Sequence, residues 1–176
     1  MAMGLTLSDG DLKRIRKYVL RLEPEPPPLR GIREQSERHR QKHGRDCTVY
    51  PSSPITGRFL QACIHLLRAK HVLEVGCGLG YSAAWMAQAI PPGGRVETVE
   101  NDPEHAALAQ SNFRALGLRH IRIHLGNAQT VLRELRGSYD LIFDDATHSE
   151  PPRWLAHVAR LLRSLRSDDS LRSSSQ

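Results

Sequence analysis

The chain has 176 residues and a formal net charge of +6 at pH 7, with 39% hydrophobic and 25% charged residues. This length is typical of a single domain with a sizeable core, and the composition is that of a globular protein rather than of a disordered or fibrous one. No apolar run approaches the ~20 residues of a membrane span, and the first residues lack the apolar core of a signal peptide. A cytoplasmic protein is therefore expected.

The positive charge comes mostly from arginine and is concentrated in Lys13–Arg21, Arg30–Arg45 and Arg153–Arg166. Basic surfaces often bind nucleic acid. Aromatic side chains on which bases could stack are sparse, however, at 5% of the chain. We interpret the basic residues as solvated helix faces, and neither nucleic acid nor a membrane is an expected partner.

The three cysteines, Cys47, Cys63 and Cys77, are odd in number and form no Cys-x-x-Cys pair. Their spacing indicates neither a disulfide framework nor a zinc site. Reduced thiols are expected.

The first third of the chain alternates between helical and irregular patterns. Leu7–Leu22 has the apolar spacing of a short amphipathic helix, and the proline-rich stretch that begins at Pro24 ends it. Gly31–Arg45 is charged and nearly free of apolar residues, which predicts either an exposed helix or a mobile arm that orders over a ligand; weak order is expected there. Thr48–Pro54 is predicted to be a loop, and Ile55–Leu67 a helix.

The most informative stretch is the apolar run Val72–Val75, which breaks into Gly76-Cys77-Gly78-Leu79-Gly80 and then into a helical pattern near Ser82. It predicts a strand, a tight loop and a helix whose N-terminus favours an anionic or polar ligand. Tyr81 stands where the dinucleotide fingerprint G-x-G-x-x-G needs its third glycine, and no phosphate-binding G-x-x-x-x-G-K-[ST] run exists. S-adenosylmethionine therefore fits better than NAD or a nucleoside triphosphate. The alternative is a turn that needs glycines only for its geometry.

The rest of the chain alternates strands with helices, which predicts βαβ units and a parallel α/β sheet with helices on both faces. The predicted elements are a helix over 83–90, a strand over Arg95–Glu100, a helix over Pro103–Leu116, a strand over Ile121–Leu125, a helix through Val131, Leu132 and Leu135, a strand over Ser138–Phe143 and a helix over Trp154–Leu165.

Polar residues follow three successive strands, where ligands bind such sheets. Glu100 ends the second strand, about twenty residues after the glycine loop, where a carboxylate accepts ribose hydroxyls in dinucleotide folds. Asn127 or Gln129, after the third strand, is suited to pairing with an adenine edge. Singly, Glu100 equally fits a surface acid and the other two fit turn residues. Together they predict a cofactor site.

The segments Val72–Ala87, Gly93–His105 and Tyr139–Asp145 resemble the class I S-adenosylmethionine-dependent O-methyltransferases of the catechol and caffeoyl-CoA type. The resemblance runs from about Ser52 to Leu162 and implies a Rossmann-like sheet. Ser52–Leu60 looks like the helix by which that family closes over its cofactor.

The strand ends and the resemblance together give the predicted cofactor-binding residues. They are Ser52, Glu74, Gly76, Cys77, Gly78, Tyr81, Ser82, Glu100, Asn101, Asn127, Ala128, Gln129 and Asp144.

The resemblance also implies the chemistry, an in-line methyl transfer from a sulfonium to a hydroxyl oxygen of a small, hydroxylated, aromatic acceptor. In that family a divalent cation, usually Mg²⁺, holds two vicinal oxygens and a lysine takes the proton. Asp145 matches the first metal-binding aspartate of the family. His148 stands at the lysine position, where its unperturbed pKa of ~6.5 suits a general base. The alternative is a solvent-exposed loop histidine. Asp145 and His148 are the predicted catalytic residues.

The C-terminal region departs from the family, which places two further metal ligands after a fifth strand. Beyond Trp154–Leu165 this chain is polar and serine-rich, so strands five to seven have no candidate sequence and a C-terminally shortened sheet is expected. One carboxylate is too few for dependable Mg²⁺ capture, and strand four would be an open apolar edge. Three explanations stand: a truncated or frame-altered version of a full enzyme, a partner or second copy that covers the edge, or a compact metal-independent relative that relies on His148 and Asp144.

The predicted organisation is an N-terminal helix and charged arm over 1–50, an S-adenosylmethionine-binding domain over 51–163 and a disordered polar tail over 164–176. The leading hypothesis is an S-adenosylmethionine-dependent O-methyltransferase. The alternative is a non-catalytic cofactor-binding or truncated methyltransferase-like module that acts by dimerisation or partner binding. A third hypothesis, nucleic-acid methylation, lacks an Asn-Pro-Pro-Tyr-type motif for a base pocket.

Overall fold

A computed structural model describes residues 24–44, 47–146 and 154–162, together with positions 10 and 13. The helix predicted over Leu7–Leu22 falls outside these residues apart from positions 10 and 13, and the predicted base His148 and the tail 164–176 fall outside them entirely.

Helices and strands alternate from the first third of the chain onward, as predicted. The elements are α1 Pro27–His43, α2 Pro54–Leu67, β1 His71–Val75, α3 Tyr81–Ala89, β2 Arg95–Glu100, α4 Pro103–Ala115, β3 Ile121–Leu125, α5 Ala128–Glu134, β4 Leu141–Asp144 and α6 Leu155–Leu161.

The strands form one parallel four-stranded sheet in the order β3-β2-β1-β4. Val75, at the end of β1, pairs with Val99 of β2 on one side and with Asp144 of β4 on the other. The chain builds outward from β1 to β3 and then returns to the other side of β1, so the strand order reverses beside β1. Open α/β sheets bind ligands outside the carboxyl ends of the strands at such a reversal. The predicted α/β fold class is confirmed.

Local capping explains where several helices begin. The Asp102 side chain accepts hydrogen bonds from the backbone N–H groups of Glu104 and His105, and Pro103 occupies the first turn of α4. The Ser53 side chain accepts from the Thr56 N–H at the start of α2. These caps begin both helices within one residue of their predicted starts.

The sheet separates two apolar layers. Side chains that alternate along β1 point to opposite faces, so Val72 joins a large cluster with α1, α2, α3 and α4, whereas Leu73 joins a smaller cluster with α5 and α6. The large cluster includes Trp85 and Phe113, and both are almost fully buried. Helices therefore cover both faces, as the parallel strands require.

The expectation of weak order over residues 31–45 is wrong for the part that is described. Residues 31–43 lie within the continuous helix α1, whose Leu29 and Ile32 are 0% and 4% exposed in the large cluster. The buried Ser36 hydroxyl is satisfied within the helix, because it donates to the Ile32 carbonyl at 2.9 Å. One narrow apolar face is therefore enough to dock a helix that is otherwise charged.

Strand β4 is shorter than predicted, since regular pairing begins at Leu141 rather than at Ser138. Tyr139 instead forms a single parallel bridge with Leu162, and the Tyr139 N–H donates to the Leu161 carbonyl at 2.8 Å. Residues just after α6 thus begin to pair along the outer side of β4. Coverage of the rest of this edge by a second copy stays a prediction.

Within the described part of the chain, no helix combines the length and apolarity needed to cross a membrane.

Candidate functional site

A cavity of about 420 Å³ opens at the carboxyl ends of the strands. Its walls come from the glycine loop after β1, the end of β2, the turn before α5, the residues after β4 and the loop before α2. The fold thus brings to one place the segments that the sequence singled out separately.

The glycine loop approaches the backbone of the segment after β4 so closely that it has no room for a side chain at Gly76. A Cβ there would lie 3.0 Å from backbone atoms of Asp145 and Ala146, and Gly76 has φ +96°. The N–H groups of Gly76 and Cys77 both donate to the Val99 carbonyl, which fixes the loop against β2. Burial raises the pKa of the Cys77 thiol well above its ordinary value, so this part of the wall stays neutral.

Glu100 is 6% exposed and places its carboxylate beside the glycine loop. Its Oε2 accepts from the Gly78 N–H at 2.7 Å, and its Oε1 accepts from the N–H groups of Asn101 and Asp102 at 2.9 and 3.0 Å. A carboxylate has about four acceptor positions, so these bonds leave capacity for a ligand hydroxyl. A buried acceptor held in this way is suited to binding a diol.

Glu74 lies beneath the cavity and does not line it. Its side chain is 0% exposed, and its two oxygens bond the hydroxyls of Ser82 and Thr98 at 2.5 and 2.6 Å. Burial raises its pKa to about 8, against the opposing effect of these two hydrogen bonds. The carboxyl is therefore protonated at neutral pH, and it orients the cavity-lining Ser82 from below.

Two hydrogen bonds tie the cavity rim to other elements. The Ser52 hydroxyl donates to Asp145 Oδ2 at 2.8 Å across the rim. The Trp154 indole N–H donates to Asp144 Oδ2 at 3.0 Å, which joins the start of α6 to the end of β4. Asp144, the last residue of β4, and Asp145, which follows it, therefore face different partners.

The N-terminal side of the cavity is anchored by an acid that the sequence did not single out. Glu25 accepts from the Tyr81 hydroxyl at 2.5 Å, and both of its oxygens accept from the Arg33 guanidinium at 2.8 to 3.2 Å. Burial raises the pKa of Glu25, but the hydrogen bonds from Arg33 and Tyr81 outweigh it and the net shift is downward. An ionised buried acid thus joins α1 to the start of α3.

Most of the predicted cofactor-binding residues lie on the cavity wall. Those that line it are Ser52, Gly76, Cys77, Gly78, Tyr81, Ser82, Glu100, Asn101, Asn127 and Ala128, together with Asp145.

Three predicted residues, Glu74, Gln129 and Asp144, do not line the cavity, and their contact with a cofactor stays a prediction. Glu74 is buried below the wall, and Asp144 is bonded to Trp154. Gln129 lies exposed in the first turn of α5, where its N–H donates to the Asn127 side chain as part of the helix cap. His148, the predicted base, lies outside the described residues.

Sequence reasoning missed several residues of the wall, namely Ser36, Thr48, Val49, Tyr50, His105 and Trp154. Tyr50 and its neighbours belong to the loop predicted over Thr48–Pro54, so their position next to Ser52 was an available signal. Ser36 offered none, because only the docking of α1 brings it to the cavity.

The described residues near Asp145 supply only part of the Mg²⁺ site that the resemblance implied. Among the residues that the structure describes, no group of three potential metal ligands contains Asp145. Asp145 bonds Ser52, and its neighbour Asp144 bonds Trp154. Mg²⁺ is bound in proteins through carboxylates together with waters and substrate oxygens, and the described rim offers Asp145 alone.

Comparisons with known proteins agree with this geometry. The family model described as O-methyltransferase matches residues 28–167. A catechol O-methyltransferase of Niastella koreensis is 42% identical over 118 residues, which cover 61% of this chain and 52% of that protein. The chain thus spans about half the length of the curated relatives it matches.

Solved structures share the fold. The O-methyltransferase of Bacillus cereus, in complex with S-adenosylhomocysteine, is 28% identical with a TM-score of 0.75, over 85% of this chain and 68% of that one. TomG of Streptomyces achromogenes, an O-methyltransferase of tomaymycin synthesis in complex with S-adenosylmethionine, is 26% identical with a TM-score of 0.77. The match covers 90% of this chain and 71% of the TomG chain. With a family model that matches most of its length, this chain belongs to the O-methyltransferase family.

Proposed function

We propose that the cavity binds S-adenosylmethionine and that the protein takes part in methyl transfer to a hydroxyl oxygen of a small, aromatic acceptor. The observation that carries the proposal is the buried carboxylate of Glu100 beside a glycine loop at the reversal of strand order. Two family members of known structure are described as bound to this cofactor or its product.

The residues present fit the cofactor. Glu100 has acceptor capacity for the ribose hydroxyls, and the loop at Gly76 and Gly78 allows the close approach of a ligand because neither residue carries a Cβ. Asn127 and Ala128 line the same cavity as Ser52 and Tyr81, and we assign the adenine to the Asn127–Ala128 turn. When bound, S-adenosylmethionine supplies an electrophilic methyl group on a sulfonium. The bounds 51–163 for the cofactor-binding unit stay a prediction, and the cavity wall extends beyond them to Ser36 and to Thr48–Tyr50.

The acceptor is proposed from the relative described as a catechol O-methyltransferase. Asp145 lies at the cavity rim, exposed and held by Ser52, where it is placed to accept a hydrogen bond from an acceptor hydroxyl. His148 follows it by three residues, and we retain His148 as the proposed general base, with the proton moving from the acceptor hydroxyl to its imidazole.

Calorimetric titration with S-adenosylhomocysteine and with its 2′-deoxy analogue tests the role of Glu100. The unaltered protein is expected to prefer the parent ligand by about tenfold, as for one hydrogen bond to a charged group. Glu100→Gln is expected to bind the parent ligand about tenfold more weakly and to lose this preference. The matched control is Glu134→Gln, since Glu134 is exposed at the end of α5. Undetectable binding by the unaltered protein contradicts the proposal.

Transfer of a radiolabelled methyl group from S-adenosylmethionine to catechol tests the activity. Because His148 is the proposed base, turnover is expected to fall by at least about 100-fold in His148→Ala. An assay with added Mg²⁺, set against one with a chelator, measures the dependence on a divalent cation. Equal turnover by His148→Ala and the unaltered protein would remove His148 from the mechanism, and no methylated catechol would remove this acceptor.

A further inference from the structure

A second cluster of ligating side chains lies behind the ribose side of the cavity and takes no part in the proposed methyl transfer. One donor atom from each of His39, Cys47 and His105 lies within 4.8 Å of the donors of the other two. Cys47 and His105 are 5% and 6% exposed, and His39 is half-buried on α1. The end of α1 and the turn after it thus meet the start of α4 in a partly buried place.

The chemistry of the donors selects the ion. Thiolate and imidazole are the ligands of Zn²⁺ and similar borderline ions, whereas Mg²⁺ and Ca²⁺ take oxygen. With Zn–S at about 2.3 Å and Zn–N at about 2.0 Å, neighbouring donors of a tetrahedral site are about 3.5 Å apart. The donor separations of up to 4.8 Å include this spacing, and rotation of the half-buried His39 side chain can adjust its distance to the other two donors.

The backbone around the cluster is arranged to keep the donors together. His39 and His43 are four residues apart on one face of α1, with their rings stacked at 4.3 Å. Gly44, at φ +66°, ends the helix and turns the chain back, so that the Cys47 N–H donates to the Gly44 carbonyl at 3.4 Å. His105 lies in the first turn of α4, edge-on to His39 at 5.1 Å.

We propose that His39, Cys47 and His105 form a binding site for Zn²⁺ or a chemically similar divalent ion. The fourth coordination position of the ion is taken by water or by His43. The donor atom of His43 lies close to those of His39 and Glu104, at the outer side of the cluster. The ion fastens the end of α1 and the following turn to α4. His105 also lines the cavity and lies 3.9 Å from Glu100, so the ion steadies the wall beside the cofactor.

This site goes against the expectation from cysteine spacing alone. Cys47 has no neighbouring cysteine in sequence, and its partners are histidines from α1 and from α4, 58 residues further on in the case of His105. The contact of α1 with α4, seen also in the hydrogen bond from the Asn112 side chain to Gln35, brings His105 to the other two.

Titration of the metal-stripped full chain tests the site with Zn²⁺ by calorimetry and with Co²⁺ by absorption. One equivalent of Zn²⁺ is expected to bind, and Co²⁺ is expected to give the near-ultraviolet band of a thiolate-bound ion. Cys47→Ser should lose this band and bind Zn²⁺ at least about tenfold more weakly. His39→Gln should bind Zn²⁺ with a similar loss, and Zn²⁺ should raise the melting temperature of the unaltered protein more than that of His39→Gln.

Two matched variants control for nonspecific binding. Cys63→Ser removes a half-buried thiol of α2, and His65→Gln removes an exposed imidazole of the same helix. Both are expected to bind as the unaltered protein does. If Cys47→Ser does not fold, His39→Gln carries the test, because His39 lies at the helix surface.

The proposal is overturned by either of two results. One is that the unaltered protein binds no Zn²⁺, or that Cys47→Ser and His39→Gln bind Zn²⁺ as tightly as the unaltered protein does. The other is that His43→Gln abolishes Zn²⁺ binding, whereas Cys47→Ser still binds Zn²⁺ and the unaltered protein shows no thiolate band with Co²⁺. That result would place the ion at His39 and His43 on the outer side of the cluster.

Discussion

At the scale of single residues, the buried carboxyl of Glu74 makes stability depend on pH. Burial raises its pKa from 4.5 to about 8. Between these values the native state holds a proton that the unfolded state releases, so the free energy of unfolding falls as pH rises through this window. Glu74→Gln removes the titration and keeps partners for both hydroxyls. Between pH 5 and pH 8, the free energy of unfolding of the variant is expected to rise by a few kcal/mol relative to that of the unaltered protein.

Urea denaturation at a series of pH values measures this difference. Glu134→Gln, at an exposed position, should give a profile parallel to that of the unaltered protein. A parallel profile for Glu74→Gln as well would mean that Glu74 ionises normally in the folded state.

A second prediction at this scale concerns the glycine loop. Gly76→Ala combines a left-handed backbone with a Cβ at 3.0 Å from other backbone atoms, whereas Gly93→Ala, at φ +81°, meets nothing within 4 Å. Gly93→Ala is expected to lower the free energy of unfolding by only about 1 kcal/mol, the cost of holding an alanine in a left-handed backbone conformation. Gly76→Ala should cost at least about 2 kcal/mol more and abolish binding of S-adenosylhomocysteine. Equal costs in thermal unfolding would show that the loop can move away from Ala146.

At the scale of elements, the ionic contact of Arg33 with Glu25 is predicted to hold α1 in place. Glu25 is 7% exposed, so removal of the guanidinium leaves a buried carboxylate with the Tyr81 hydroxyl and the more exposed Arg30 as partners. Arg33→Ala is expected to cost about 2 kcal/mol, against less than about 0.5 kcal/mol for Arg38→Ala, whose side chain is 67% exposed.

The pH dependence of this contact has the opposite sign to that of Glu74. The pKa of Glu25 is lowered from 4.5, so its stabilisation is fully present above pH 4.5 and is lost as pH falls through the lowered value. The difference between the unaltered protein and Arg33→Ala should therefore shrink in acid. A difference that is constant from pH 7 to pH 3 would contradict an ionised Glu25.

The elements differ in how well their sequences predicted them. Strand β2 was predicted residue by residue, because a turn rich in proline and glycine precedes it and a capped helix follows it. Helix α1 was misjudged because Leu29 and Ile32 alone mark its buried apolar face, too few to show a helical period. The sequence placed Glu74 near the ligand, yet its burial depends on Ser82 and Thr98 from two other elements.

The cluster of His39, Cys47 and His105 had little local signal, since His105 joins the other two only through tertiary packing. The wall residues after β1, β2 and β3 were predictable for the opposite reason. Parallel strands bring their carboxyl ends to one edge whatever the details of side-chain packing.

At the scale of the whole molecule, the two sides of the sheet differ in how much apolar packing supports them. Among the described residues, the buried apolar cluster on the α5 and α6 side consists of Leu73, Val75, Val99, Leu132, Tyr139 and Leu161. The cluster on the side of α1 to α4 has more than three times as many described members. Each buried residue on the smaller side therefore carries a larger share of the packing that holds β4 against the sheet.

Leu161→Ala tests whether α6 and the bridge after it are an integral part of this fold. Leu161 is 0% exposed and its carbonyl accepts from the Tyr139 N–H, whereas Leu155 of the same helix is 62% exposed. Leu161→Ala is expected to cost about 2 to 5 kcal/mol in chemical denaturation, and Leu155→Ala less than about 0.5 kcal/mol. Similar small costs for both would mean that α6 contributes little, and that β4 is held by its pairing with β1 alone.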